Sequence, residues 1–392
     1  MKDETKLVVA GRDPEANFGI VNVPVYHAST VLFPTVESRE AAHAARAGGE
    51  RLVSYGRLGT PTTWSLEDAV AQLEGGYRSQ VYPSGMAACA GAILAFVKAG
   101  DHVLMTDSVY GPVRGFCDKF LKRFGVTVTY YDPLIGAGIK ELIRPETRVV
   151  YVEAPGSLTF EMQDIPAIAE AAHGKGAKVI MDNTWASPLF FKPFEHGVDV
   201  SVQAGTKYIV GHSDVMIGLV TTTEECWGEF VRDANMLGQT AGPDDVYLAQ
   251  RGIRTLAVRL KQHMENALHI AEWLKGRPEV HSVLHPGLPD DPGHALWKRD
   301  FLGASGLFSF RLKSVPKKAI AAFLDDLELF GMGSSWGGYE SLILPSDPSH
   351  YRTATKWDDA NPLIRIHVGL EAVTDLTDDL AAGFARMTAA NR

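Results

Sequence analysis

Four places in this chain have side chains whose type and setting suit chemistry: Lys207, Asp182, Arg365 and the Ser84-Gly85-Met86 triplet. Lys207 lies in Gln203-Ala204-Gly205-Thr206-Lys207-Tyr208, just after the apolar run Val198–Val202. A lysine is ordinarily a solvated surface residue. Small neighbours and an apolar approach instead imply a partly desolvated amine, and desolvation favours the neutral, nucleophilic form. Asp182 closes the apolar run Val179-Ile180-Met181 and precedes Asn183-Thr184-Trp185. Such a carboxylate must cap the next segment or face a polar ligand. In the second case it can keep a heteroaromatic nitrogen protonated.

Ser84-Gly85-Met86 precedes an Ala-rich apolar stretch that reads as a helix through Val97. The free N–H groups of a helix start can hold a phosphate, and Gly85 permits close approach. Taken alone, an ordinary capped helix is the simpler reading. Arg365 sits inside Leu363-Ile364-Arg365-Ile366-His367-Val368. It needs either a structural ion pair or a ligand carboxylate for its fork. Tyr55 and Arg57, in Ser54-Tyr55-Gly56-Arg57-Leu58-Gly59-Thr60, are loop residues that are either solvated or donors to a phosphate. The 13 histidines show no metal-ligand spacing, and His212 reads as a structural polar residue. Neither a G-x-x-x-x-G-K-[ST] loop nor a G-x-S-x-G elbow occurs.

The elements that must position these groups alternate. Strands are expected at His102–Met105, Val126–Tyr130, Arg148–Val152, Lys178–Met181 and Val198–Val202, with helices between them. Asp164-Ile165-Pro166 is a helix start with a cap and an early proline, and Gly75-Gly76 stops the helix that begins at Pro61. That order implies a largely parallel, helix-covered sheet. Tyr110, Glu153, Asp182 and Thr206-Lys207 then fall at the carboxyl ends of four strands, where open α/β sheets bind ligands. A long helical pattern runs from Asp244 toward Lys275, with Gly252 inside it. After it come strand Leu307–Leu312, helix Lys317–Leu327, strand Leu363–Val368 and helix Leu376–Met387, a smaller α/β domain. The expected organisation is an irregular N-terminal arm at 1–60, a ligand-binding domain at 61–252 and a C-terminal domain at 253–392. Arms of this kind often hold a neighbouring subunit.

With 392 residues the chain is long enough for two cores. A net charge of −9 argues against a nucleic-acid partner or an anionic membrane surface. Cys89, Cys117 and Cys226 are scattered, as suits buried thiols in a reducing cytoplasm rather than disulfides or a metal site. Residues Met1 to Val9 lack the apolar core of a secretion signal, and the apolar run Met86–Val97 is too short to span a bilayer.

These residues together resemble the cysteine/methionine-metabolism group of pyridoxal-phosphate enzymes, from about Leu7 to Met387. The resemblance is carried by Tyr55-Gly56-Arg57 through Gly75-Gly76, Asp182-Asn183-Thr184-Trp185, Thr206–Asp214, Ser335–Leu342 and Leu363–Glu371. It implies fold type I, aspartate-aminotransferase-like, with a mostly parallel seven-stranded sheet, and pyridoxal 5'-phosphate as cofactor. Lys207 matches the Schiff-base lysine, Asp182 the partner of the pyridine nitrogen and Tyr110 the tyrosine stacked on the ring. Gly85, Met86 and Thr206 match phosphate-binding positions, while Tyr55 and Arg57 match residues that reach an adjacent subunit's cofactor phosphate. Arg365 and Ser335 match holders of the substrate carboxylate, and Trp336 lines the substrate pocket, as does Tyr55. Ala204 departs from the serine often found there, which moves weight onto the other phosphate-binding positions.

Trp336, Ile343-Leu344-Pro345-Ser346-Asp347 and Ser157 each differ from what γ-acting relatives usually carry. The resemblance therefore implies α,β-elimination of a cysteine thioether, cystathionine above all, by a cytoplasmic dimer of dimers with shared sites. Lys207 would move the protons, with Tyr110 as helper. The alternatives are a γ-lyase or γ-synthase on the same scaffold, a β-lyase for another thioether, a dinucleotide oxidoreductase (disfavoured by the missing G-x-G-x-x-G) and a non-catalytic binding protein.

Overall fold

A computed structural model describes residues 1–357 and 360–391. Seven strands form the larger sheet: β1 (Arg78–Tyr82), β2 (His102–Thr106), β3 (Thr127–Tyr131), β4 (Thr147–Glu153), β5 (Lys178–Asp182), β6 (Val200–Gln203) and β7 (Gly218–Thr222). Their order is β1-β7-β6-β5-β4-β2-β3. Only β7 runs against its neighbours, and every other pairing is parallel. The period of two along each strand feeds both faces. On β4, Val149 and Tyr151 join the core under the helices Gly85–Leu94, Gly111–Lys119 and Glu224–Met236. Val150 and Val152 point the other way, toward the helix Ile165–His173. A sheet covered on both faces needs such near-continuous apolar strands.

The local signals act as the sequence implies. Ser84 Oγ accepts from Ala87 N at 3.1 Å, and Asp164 caps its helix through Ala167 N at 3.3 Å. Gly75 closes the helix Pro61–Glu74 in the left-handed region, with φ of 79°.

The second sheet holds β8 (Val280–Leu284), β9 (Leu307–Leu312), β10 (Leu342–Ser346) and β11 (Leu363–His367), in the order β10-β11-β9-β8. All of its pairings are antiparallel. The helices Leu256–Lys275, Lys317–Leu324 and Val373–Ala390 share its core.

Two expectations are corrected. The pattern from Asp244 to Lys275 is two helices, Pro243–Ile253 and Leu256–Lys275. The break falls at Arg254-Thr255, where Arg254 N and Thr255 N turn back to Arg251 O and Gly252 O. Arg259 holds the break by donating to Gly252 O at 2.7 Å and to Thr255 Oγ1 at 3.1 Å. The first sixty residues are also not wholly irregular, because helices form at Asp3–Val9 and Val36–Ala47. A reciprocal capping box between Thr35 and Ser38 starts the second of them. Leu7 and Ala10 bury beside Leu66 and Val70, which ties the start of the arm to the larger sheet's helices.

Gly252 is needed for close approach rather than for the break. A Cβ there would lie 2.4 Å from both Ile209 O and Val210 O, in the segment that follows Lys207. The variant Gly252→Ala is expected to lose about 1–3 kcal/mol through this overpacking. A lowered thermal midpoint with unchanged secondary-structure content would register it.

Candidate active site

Strands β6, β5, β4 and β2 are adjacent and parallel, so their carboxyl ends share one edge. Glu153 and Asp182 are direct partners across β4 and β5 at that edge. Tyr110 follows β2 and caps the helix Gly111–Lys119, and Lys207 follows β6. The structure thus gathers the four strand-end residues where the sequence places them.

Lys207 Nζ donates to Ser335 Oγ at 2.6 Å and lies 5.3 Å from the Trp336 ring centre. Burial lowers its pKa to about 8, and nearby Arg365 pushes the same way against the pull of Asp182. The amine is therefore substantially neutral at mildly alkaline pH. Asp182 is held from both oxygens. Oδ1 accepts from Thr184 N at 3.0 Å and Thr184 Oγ1 at 2.5 Å, while Oδ2 accepts from the Cys89 thiol at 3.7 Å. Burial pushes its pKa up, and the Thr184 and Cys89 donors and the Lys207 charge work against that. Asp182 thus does cap the turn after β5, through Oδ1.

Glu153 Oε2 accepts the Tyr110 N–H at 2.7 Å. Burial first, and the Asp182 charge second, push its pKa up, against the pull of the Tyr110 N–H. Sequence reasoning marked Glu153 only as a strand end and missed its hold on Tyr110. It also missed Thr184, whose hydroxyl accepts from Ala204 N at 2.9 Å and so links Asp182 to the Lys207 segment. The Asp-x-Thr spacing was the available signal for that turn.

Arg365, on β11, donates from Nη2 to Ser335 O at 3.2 Å. Among the described residues no carboxylate pairs with it, so the structural ion pair is not realised. Ser335 carries a φ of 87°, a strained setting for a residue other than glycine. At Gly85 an added Cβ would sit 2.5 Å from Ala204 Cβ, so these two small residues bring the helix start against the lysine segment. Ser84 takes the Ala87 and Ala88 N–H groups, leaving Gly85 and Met86 as first-turn donors without an intrahelical acceptor. Thr206 is a clamp here: its hydroxyl donates to Ile217 O at 3.1 Å and accepts from Ile217 N at 2.9 Å. His212 Nδ1 pairs with Val210 O at 2.6 Å, a structural role.

Tyr55 and Arg57 are not brought to this cluster within the chain. Arg57 Nη1 donates to Asn235 O at 2.9 Å, and its guanidinium lies 5.9 Å from the Tyr55 ring centre. The three cysteines are free and buried. Among the described residues no group of His, Cys, Asp and Glu side chains could hold a metal, and no helix is long and apolar enough to cross a membrane.

A desolvated amine awaits a carbonyl, and a buried carboxylate without a bonded cation awaits a protonated ring nitrogen. A helix start with open N–H groups awaits an anion. Pyridoxal phosphate meets all three demands at once, so the fold and the site define a pyridoxal-phosphate-dependent enzyme. Within that class the chain belongs to the Cys/Met metabolism PLP-dependent enzyme family, whose profile matches residues 4–385. It is 48% identical to the cystathionine beta-lyase of Salmonella typhimurium (strain LT2), covering 98% of each chain. It is also 48% identical to the cystathionine beta-lyase of Escherichia coli (strain K12), covering 98% of this chain and 99% of that one. The crystal structure of cystathionine gamma synthase from Xanthomonas oryzae pv. oryzae superposes with a TM-score of 0.90 at 33% identity, covering 100% of this chain and 99% of that chain.

Reductive labelling of Lys207 in apoprotein by pyridoxal phosphate and borohydride is expected to rise with pH through about 8, as the amine loses its proton. In Arg365→Ala the midpoint is expected to move up, because a like charge that disfavours the ammonium is removed. Peptide mapping of the labelled lysine against pH measures both.

Proposed function

We propose that this chain catalyses α,β-elimination of L-cystathionine and related cysteine thioethers to a thiol, pyruvate and ammonia, the thiol from cystathionine being homocysteine. The observation that carries this is the Lys207–Ser335–Arg365 group at the strand edge, with Trp336 against the lysine. The names of the relatives at 48% identity support the same reaction.

In this reading Asp182 holds the ring nitrogen and Tyr110 covers the ring. Gly85, Met86 and Thr206 hold the phosphate, Thr206 by turning its hydroxyl from Ile217 O. When bound, pyridoxal phosphate supplies the sink for the electrons released at the substrate Cα. Arg365 grips the substrate carboxylate with the Ser335 segment behind it, which sets the Cα–H bond toward Lys207. Once the substrate amine has replaced it, the Lys207 amine removes the Cα proton. The same Nζ then protonates the sulfur leaving from Cβ, with the Tyr110 hydroxyl as helper. Trp336 narrows the pocket on the lysine side.

Tyr55 and Arg57 are assigned to the phosphate of a neighbouring subunit's site, and Tyr55 to its substrate pocket. Their distance from this chain's own cluster supports that role. So do the exposed apolar side chains of the arm, among them Phe18 at 98% and Leu32 at 88% exposure. The active unit is then a dimer, and the assembly a dimer of dimers. Three unpaired, buried cysteines fit a reducing cytoplasm.

With cystathionine as substrate, the wild type should yield pyruvate and homocysteine. Lys207→Ala should slow this by roughly 10²–10⁴-fold or more, as the loss of a proton-transferring group predicts. Cysteine and 2-oxobutyrate as the main products would assign the chain to γ-cleavage instead. Mixing Lys207→Ala with Arg57→Ala protein should restore part of the activity through hybrid sites, and a mixture as inactive as its components would contradict the shared site.

A further inference from the structure

Behind Asp182 lie two polar side chains that the reaction has not used. Cys89 is on the helix Gly85–Leu94 and Tyr151 is on β4, and both are buried in the apolar layer between that helix and the sheet. The thiol donates to Asp182 Oδ2 at 3.7 Å. The Tyr151 hydroxyl is buried without a hydrogen-bond partner of ordinary geometry. Burial raises its pKa, and it shares its buried cluster with Cys89, whose thiol is near enough to push that pKa up further. A hydroxyl stranded among apolar side chains carries a desolvation cost that packing does not return, and a phenylalanine would fill the same space without it.

The other groups facing Asp182 are Glu153 from β4, Lys207 from the segment after β6, Tyr110 from the turn after β2 and Thr184 from its own turn. Thr184 bonds Oδ1 only, so among the described residues Cys89 is the donor to Oδ2. We propose that Tyr151 and Cys89 form a relay that positions Asp182: the hydroxyl steadies the thiol, and the thiol donates to Oδ2, keeping the carboxylate charged and aimed at the cofactor nitrogen. Both are positioning residues acting through Asp182, and no bond forms or breaks at either. The inference rests on the assignment of Asp182 to the cofactor. A neutral thiol is a weak donor, so the effect is modest. Its sign is fixed, because a donor to the charged form lowers a carboxylate's pKa.

The test uses holoenzyme carrying Cys89→Ala, Cys89→Ser or Tyr151→Phe. Retention of pyridoxal phosphate after dialysis is followed by its visible absorbance as the pH is lowered, alongside the thermal midpoint. Loss of the donor raises the Asp182 pKa, so the charge that holds the ring nitrogen disappears at a higher pH. In Cys89→Ala the acid limb of retention is expected to move up by about half a pH unit, the size of one neutral hydrogen bond. Tyr151→Phe should move it the same way by less, and Cys89→Ser should bring it back toward the wild type. If the limb stays in place in both Cys89→Ala and Tyr151→Phe while only the thermal midpoint falls, the pair is packing and the relay is overturned. A wild-type protein that retained no pyridoxal phosphate would overturn the cofactor assignment along with the relay, so the two failures are distinguishable.

Discussion

Burying a carboxylate at the end of a central strand costs several kcal/mol unless a counter-charge arrives. Asp182 and Glu153 do this side by side, as direct partners on β5 and β4. Two charged carboxylates at that spacing would repel, and burial pushes the pKa of both upward. Of the two, it is Asp182 that is given side-chain donors, Thr184 and Cys89, which favour its charged form. The rest of the site is arranged around that charge. Thr184 ties it to Ala204, and Ala204 lies against Gly85, so the lysine segment and the helix start are both referenced to Asp182. Glu153 instead fixes Tyr110 by accepting its N–H.

The second sheet contributes the opposite wall. Arg365 and the Ser335-Trp336 turn come from it, yet they must meet Lys207 to within a hydrogen bond. A buried Asp107 at the end of β2 secures this. It accepts from Arg114 and from the N–H groups of Thr353, Ala354 and Thr355, which lie between β10 and β11. Arg352 adds an ion pair to Glu161 at 2.7 Å. The strap that leads into the Arg365 strand is thereby fastened beside Tyr110. Trp336 packs on Tyr208, the residue after the lysine, with ring centres 5.4 Å apart. The two sheets are thus joined near the site, where the amine and the guanidinium both bond to Ser335.

What was legible in the sequence follows the strength of local signals. β2, β4, β5 and β6 show as apolar runs because both their faces are covered, and the edge strand β3 shows by its β-branched and aromatic residues. β1 did not, because Arg78-Ser79-Gln80 interrupts the pattern, and its Ser79 is buried only by pairing with Thr221 across to β7. β7 was not expected either, since it opens on a glycine and ends in threonines, with Val220 facing the sheet core. The helix break at Arg254-Thr255 was invisible because its cause, Arg259 folding back on Gly252 O, is a contact across a turn. At the site, Lys207, Asp182 and Arg365 stood out by type and setting. Glu153, Thr184, Cys89 and Tyr151 did not, since their meaning lies in partners on other strands. Resemblance to a family supplied the roles, and geometry supplied the reasons.

The one assignment that geometry within a single chain leaves open is also explained by charge. In the proposed site a phosphate group would bring up to two negative charges to the Ser84–Met86 turn. Open N–H groups and a helix dipole balance only part of that. Among the described residues, no hydrogen bond or ion pair places an arginine at this turn. Arg57, which the family pattern assigns to the phosphate, donates to Asn235 O instead. Its neighbouring arm exposes apolar side chains that a lone chain would leave wet. The proposed shared site would answer both imbalances, the positive charge wanted at the phosphate and the uncovered apolar surface on the arm. In the proposed assembly a second copy that covers the arm would also bring Arg57 and Tyr55 to the first copy's site, which would couple oligomer assembly to completion of the cofactor pocket.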